Sequence, residues 1–141
     1  MFPAADIPVV QLSIDYHRPP AEHFALGQQL RALREQGVLI VASGNTVHNL
    51  RTMNRSAPDN QAYEWAIEFD QWVAEQIANG HPEALVDFQA QGEIAKMSHP
   101  SYDHFLPLLY AAGAADAGES VEFFNEGYQF ASIAMRSVIW G

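Results

Sequence analysis

The strongest constraint on the fold is a run of five apolar residues, VLIVA, at positions 38–42. A strand that is apolar on both faces is typical of the interior of a parallel sheet. A second stretch rich in β-branched residues, IPVVQLSI, occupies positions 7–14, and a helical pattern lies between the two. That pattern rests on three leucines spaced at i, i+4 and i+7, namely Leu26, Leu30 and Leu33. The sequence therefore predicts a strand–helix–strand unit, and with it an α/β fold whose helices flank a mainly parallel sheet.

The rest of the chain predicts more helices and two closing strands. A helix is expected over residues 62–78, with an aromatic stripe of Trp65, Phe69 and Trp72 facing the core. A shorter helix is expected from Pro82, a connector over residues 89–98, and a last helix from near Pro100. Two strands are predicted at the end of the chain, in the stretches VEFFN and YQFASIAMRSVIW. At 141 residues, the chain has the length of a single domain, residues 1–141.

Charge and cysteine content exclude several classes of function. The chain has 17 acidic and 7 basic residues, a formal net charge of −10, which disfavours nucleic acid and anionic membranes as partners. It has no cysteine, so it forms no disulfide and offers no thiolate ligand or thiol nucleophile. That composition is consistent with a cytoplasmic protein. The longest run of small and apolar residues, positions 105–115, is too short to span a bilayer.

His48 is the first candidate for chemistry. It lies in SGNTVHNL, directly after the predicted strand at 38–42. In an open α/β sheet, ligands bind beyond the carboxyl ends of the strands, and Ser43-Gly44 permits a tight turn there. An imidazole takes up and releases protons near neutral pH. His48 is therefore either an acid/base or metal-binding group, or a loop histidine that caps the next helix or bonds a carbonyl.

The remaining histidines divide into two groups. His17, His23 and His81 are expected to be exposed. His99 and His104 both lie in HPSYDHFLPLLY, with His104 on the apolar side of the last predicted helix. A buried imidazole needs a partner, which is either a metal ion or a backbone carbonyl. The chain contains no phosphate-binding glycine loop, no G-x-S-x-G turn and no H-E-x-x-H motif. Four glutamates have the spacing of solvated helix faces: Glu35, Glu64, Glu68 and Glu75.

Four segments carry a resemblance to a known family. ADIPVVQLSID, GVLIVASGNTVHNLR, HPSYDHFLPLLYAAGA and ASIAMRSVIW resemble, in order and spacing, the second half of the DODA-type extradiol ring-opening dioxygenases. These are class III enzymes related to the catalytic subunit of protocatechuate 4,5-dioxygenase. The resemblance covers nearly the whole chain, and S-G-N-x-V-H-N-L is its most specific part.

The resemblance implies a mononuclear Fe(II) or Zn(II) that holds a catecholic substrate while dioxygen opens the ring. It implies that His48 acts as an acid/base and is one of the metal ligands, and that His104 is a second ligand. Asn49 is a candidate hydrogen-bonding partner of the substrate. Iron(II) accepts such nitrogen ligands and leaves positions open for substrate and dioxygen.

The sequence also departs from the family pattern. The family's two other histidine segments, H-G-S-P and S-A-H-W, do not occur in this chain. We therefore expect a C-terminal portion of the catalytic domain, with the metal lost or weakly held unless an N-terminal polypeptide complements it. The alternative is a non-catalytic α/β remnant that forms homo-oligomers through its apolar terminal strands. A third hypothesis is a module that binds a small molecule through the S-G-N turn alone.

Overall fold

The computed structural model describes residues 3–141, so Met1 and Phe2 of the predicted domain lie outside the described residues. Helices and short strands both occur, as the α/β prediction requires. The helices are α1 (Pro20–Leu30), α2 (Glu64–Ala78), α3 (Glu93–Ser98) and α4 (Leu106–Ala114). Segments of 3₁₀ helix cover Arg31–Gln36, Leu50–Thr52 and Pro82–Gln91. The strands are β1 (Val121–Phe124), β2 (Tyr128–Gln129), β3 (Ile133–Ala134) and β4 (Ser137–Trp140). No helix within residues 3–141 has the length and apolarity needed to cross a membrane.

The strands form two small antiparallel ribbons. β1 pairs with β4, with Val121 opposite Trp140 and Phe124 opposite Ser137. Between them in the chain, β2 pairs with β3. The prediction of strands at the end of the chain is confirmed, and the second predicted strand is divided into β2, β3 and β4 by turns.

The predicted parallel sheet is not found within residues 3–141. Residues 7–14 and 38–42 form no strand, and apart from the half-buried Ile40 their apolar side chains are exposed: Val10 is 91% exposed and Val41 is 67% exposed. A strand exists only where a second backbone accepts its hydrogen bonds, and no described segment pairs with either stretch. Both stretches have the composition of buried strands, but neither has a strand to pair with among the described residues.

The core is built on α2. Its Phe69, Val73 and Ile77 are buried, and Trp65 and Trp72 pack against the same cluster. Residues from the 3₁₀ segment Pro82–Gln91, α3 and α4 complete that cluster. The predicted aromatic stripe and the helix that carries it are confirmed, with the helix beginning at Glu64 rather than at residue 62. The four glutamates predicted to be solvated are exposed.

Helix α1 buries a different face from the predicted one. Its buried residues are His23 and Gly27, whereas Leu33 lies beyond the helix and is 36% exposed. A Cβ at Gly27 would overlap with the carbonyl oxygen of Tyr110, so glycine allows α1 to pack closely on α4. The expected exposure of His23 is wrong: its Nδ1 lies 2.9 Å from the hydroxyl of Tyr110.

The segment before α4 also differs from the prediction. Residues 93–98 of the expected connector form α3, and α4 begins at Leu106 rather than near Pro100. Proline disfavours the helical conformation in the residue before it, and His99, which precedes Pro100, has φ −134° and ψ 84°. Pro107 lies in the first turn of α4, where its missing N–H has no helical partner to lose.

Candidate functional site

The imidazole rings of His48 and His104 stack on each other. Their centroids are 3.6 Å apart and their planes differ by 16°. His48 belongs to residues 43–49, which we call the histidine loop, and His104 lies in the turn before α4. Both rings are half-buried. The structure thus brings together the two histidines that the sequence singled out, while His17 and His81 lie exposed elsewhere.

Gly44 is the reason that the histidine loop can lie against the turn of His104. The N–H of Asn45 donates to the carbonyl oxygen of His104 at 2.9 Å. A Cβ at position 44 would overlap with that same oxygen. The glycine of the S-G-N motif is therefore needed for a close approach of two backbones.

The C-terminal end of α3 fixes the backbone around His48. The N–H of His48 donates to the carbonyl oxygen of Ser98 at 3.0 Å, and the Nδ2 of Asn49 donates to that of Met97 at 2.6 Å. On the other side, the N–H of Asn49 donates to the carbonyl oxygen of Ser132 at 3.1 Å. His48 is thereby held from two directions.

Asn49 is 3% exposed and both ends of its amide are bonded. Besides the bond to Met97, its Oδ1 accepts from the N–H of Arg51 at 3.0 Å. These contacts shape the loop and cap the 3₁₀ segment Leu50–Thr52. Contact between Asn49 and a substrate stays a prediction.

His99 is the core histidine that bonds a backbone carbonyl, a role that the sequence left open for His104. It is 1% exposed, and its Nε2 lies 2.7 Å from the carbonyl oxygen of Thr46. Burial lowers the pKa of His99 to about 4, so the ring is neutral near pH 7. Since the carbonyl can only accept, Nε2 carries the proton and donates it to the histidine loop.

A buried acidic group, which no motif in the sequence indicated, also supports the loop. Asp70 of α2 is 2% exposed and accepts from the hydroxyl of Thr46 at 2.5 Å and from that of Tyr128 at 2.9 Å. Arg136 donates to the same carboxylate through Nε and Nη2, at 2.9 to 3.1 Å. Helical spacing offered a signal, because Asp70 follows Ala66 by four residues and precedes Val73 by three, on the buried face.

The electrostatics of the stacked pair favour a neutral His48. Partial burial lowers its pKa, and the positive charge that His104 carries when protonated lowers it further, while the nearby Asp103 opposes both. The Oδ2 of Asp103 lies 3.5 Å from the Nε2 of His104. A neutral imidazole has one nitrogen free to accept a proton, so His48 has the chemistry of a general base.

The described residues do not form a metal site by themselves. Within residues 3–141, no group of three or more histidine, cysteine, aspartate or glutamate side chains is arranged to hold a metal ion. Lone pairs of an imidazole lie in the ring plane, so two nearly parallel stacked rings do not point at one common ion about 2.1 Å from each nitrogen. Two histidines fall short of the three protein ligands typical of non-haem iron oxygenases.

Comparison with known proteins assigns the chain to a family. Residues 1–139 match the family described as the catalytic LigB subunit of aromatic ring-opening dioxygenase. The chain is 43% identical to a 4,5-DOPA dioxygenase extradiol of Escherichia coli (strain K12), over 98% of this chain and 51% of that protein. It is 36% identical to a 4,5-DOPA dioxygenase extradiol of Beta vulgaris, over 91% of this chain and 47% of that protein.

A solved structure agrees with these matches. The fold is similar to the crystal structure of an uncharacterized protein from Escherichia coli K12, with a TM-score of 0.87 and 43% sequence identity over 98% of this chain and 57% of that one. The chain spans about half the length of the curated relatives that it matches. On the strength of the match over residues 1–139, this chain belongs to the family of the catalytic LigB subunit of aromatic ring-opening dioxygenases.

Proposed function

We propose that this chain is part of an extradiol dioxygenase that opens the ring of a catecholic substrate with dioxygen. The observation that carries the proposal is the stacked pair of His48 and His104, which lie on two segments joined by backbone hydrogen bonds. Relatives named extradiol dioxygenases support the reaction class.

On this proposal, His48 exchanges a proton with the substrate. A catechol chelates a metal ion more tightly once it has lost its hydroxyl protons, and a neutral imidazole beside it can accept one of those protons. The lowered pKa of His48 keeps the ring neutral and ready to accept near pH 7. The bonds from the loop to Ser98 and Met97 fix the backbone that carries His48.

The proposal also assigns His48 and His104 as ligands of Fe(II) or Zn(II). Because two histidines do not complete a site, the remaining ligands would come from polypeptide outside the residues described here. An N-terminal polypeptide that complements the chain is the proposed source. This chain alone is then expected to hold metal weakly and to turn over little or no substrate.

The test is ring opening by the complemented protein. The chain is mixed with the part of the Escherichia coli relative that it does not match, iron(II) is added, and ring opening of a catechol is followed by absorbance together with oxygen uptake. His48→Ala is expected to lower kcat by about 10²–10⁴-fold, the usual contribution of acid/base catalysis. His104→Ala is expected to lower the iron content.

The matched control is His81→Ala, since His81 is an exposed histidine with an exposed partner, Glu83. It is expected to change neither turnover nor iron content. Full activity and full iron content in both site variants would refute the proposal.

The alternative is a non-catalytic protein that self-associates through its exposed apolar segments. The 91% exposure of Val10 and the 67% exposure of Val41 favour it, because exposed apolar stretches promote association. Light scattering combined with metal analysis separates the two functions. A stable homo-oligomer that neither binds iron nor gains activity on complementation supports the alternative.

A further inference from the structure

Ile133 of β3 lies directly beside His48 across a short antiparallel contact. The two residues form an isolated β-bridge that joins the histidine loop to β3. The residues on either side of this pair make its hydrogen bonds, each at 3.1 Å from nitrogen to oxygen: Asn49 donates to Ser132, and Ala134 donates to Val47. A pair flanked in this way is of the non-hydrogen-bonded kind, in which both side chains lie on one face with their Cβ atoms about 4.5–5.5 Å apart.

Burial alternates along the two segments in the same way. The four residues that flank the pair are at most 3% exposed, namely Val47, Asn49, Ser132 and Ala134. His48 and Ile133 themselves are half-buried. Because successive side chains of an extended segment point to opposite faces, His48 and Ile133 both lie on the face that is open to solvent.

The core does not account for Ile133. Several apolar residues of the other strands pack on the core cluster: Val121, Phe123, Tyr128, Val138 and Trp140. Among the residues that the structure describes, Ile133 belongs neither to that cluster nor to the side chains packed against it. Its neighbour on the other side, Gln129 of β2, is exposed and polar. A half-buried apolar side chain thus lies between two polar ones and next to the candidate base.

An aromatic ring with hydroxyl groups at one edge matches this arrangement. Sites for small molecules combine apolar surface with a few polar groups that fix the orientation of the ligand. The polar groups here are His48 and His104, whose rings are stacked at 3.6 Å. The apolar surface is Ile133, continued two residues further by Met135, which is 38% exposed. A ligand that is polar throughout gains nothing from this second part.

We propose that Ile133 is a specificity-determining residue that packs against the aromatic ring of the catecholic substrate, while His48 meets the hydroxyl edge of that ring. Substituents on the ring then approach position 133, so the volume of its side chain decides which substituted catechols fit. The inference rests on the proposed function for the chemistry of the ligand, but contact between the ring and Ile133 requires no catalysis.

The first experiment measures contact on this chain alone. The probe is 4-methylcatechol, titrated without oxygen, and the methyl groups of the isoleucines are followed by NMR. The Ile133 δ1-methyl signal is expected to shift in a saturable manner, because an aromatic ring displaces the resonance of a methyl group that lies on its face. Ile139 of β4 is the internal control, since it is 53% exposed but lies on the other ribbon. No shift at Ile133, or equal shifts at both isoleucines, overturns the proposal.

The second experiment measures selectivity in the ring-opening assay of the complemented protein. The quantity compared is kcat/KM for 4-tert-butylcatechol divided by kcat/KM for catechol. Ile133→Ala is expected to raise this ratio by about tenfold or more, and Ile133→Phe to lower it by a similar factor, the usual range for volume changes in an apolar pocket. Ile139→Ala is the matched control and is expected to leave the ratio unchanged.

The ratio separates substrate contact from a purely structural role. Damage to the fold lowers kcat/KM for both catechols alike, and circular dichroism checks that the variants fold. A ratio that neither Ile133→Ala nor Ile133→Phe changes overturns the proposal.

The two experiments also separate this inference from the proposed function. A saturable shift at Ile133 without any ring opening supports the contact and counts against the proposed function. Ring opening with an unshifted Ile133 signal does the opposite.

Discussion

The histidine loop and the five residues before it, the apolar segment 38–42, are consecutive in the chain but are stabilised in opposite ways. In the loop, Val47 is fully buried. The carbonyl oxygen of Thr46 accepts a hydrogen bond from His99, and its hydroxyl donates one to Asp70. In the segment, Val41 is 67% exposed and its peptide groups are unpaired among the described residues. The difference shows that contacts with this chain's own core hold the backbone around His48, whereas the preceding residues 38–42 remain largely exposed.

The largest expected effect comes from breaking the charge pair beneath the loop. Arg136→Met leaves the Asp70 carboxylate buried without its cation, which typically lowers the free energy of unfolding by about 3–5 kcal/mol. Urea denaturation measures the change. Arg18→Met is the control, because the pairs of Arg18 with Asp15 and Glu22 are exposed, and exposed ion pairs contribute little to stability. Equal effects of the two substitutions would mean that the network does not support the loop.

The second prediction concerns pH and follows from His99. The folded chain resists protonating this ring until about pH 4, whereas the unfolded chain takes up the proton near its ordinary pKa of 6.5. The unfolded state therefore binds more protons between these values, and the free energy of unfolding falls as the pH is lowered from about 6.5 to 4. The shift corresponds to about 3 kcal/mol.

Urea denaturation at pH 7 and at pH 4.5 measures this dependence. His99→Gln keeps an N–H donor toward Thr46 but cannot titrate, so the difference between the two pH values is expected to shrink. His81→Gln, at an exposed histidine, is expected to leave it unchanged. An undiminished difference in His99→Gln would show that His99 is not the residue responsible.

The third prediction concerns the point where the loop meets the turn of His104. Gly44→Ala places a Cβ onto the carbonyl oxygen of His104, so the two backbones must separate, at about 2 kcal/mol by the usual range for overpacking. Loss of the stacking between His48 and His104 is expected and is measured through the NMR shifts of the two imidazoles. Ser43→Ala, at the exposed neighbouring residue, is expected to leave those shifts in place.

Helix α2 could be predicted from the sequence, whereas the predicted parallel pairing of residues 7–14 and 38–42 is not found among the described residues. Periodicity places Phe69 and Val73 on one face because a helix satisfies its own backbone, so the pattern alone is sufficient. A strand depends on a second segment. The run at residues 38–42 has the composition of a buried strand, yet composition contains no information on whether a partner is present.

The candidate site also has a part that could be predicted from the sequence and a part that could not. His48 and His104 could be singled out from motif and resemblance, because their local sequences are distinctive. The supports for the loop could not, since Asp70, His99 and Arg136 come from three separate elements and acquire their roles only by contact. The prediction that His23 is exposed is wrong for the same reason, because its partner, Tyr110, lies 87 residues further along the chain.

The smallest expected effect is the one that most directly tests the contrast within one stretch of chain. Val47 and Val41 are the same residue type six positions apart, 0% and 67% exposed. Val47→Ala is expected to lower the free energy of unfolding by about 2 kcal/mol, whereas Val41→Ala is expected to change it by about 0.5 kcal/mol or less. An equal loss of stability from both substitutions in the free chain would show that residues 38–42 are already packed against this chain's own core.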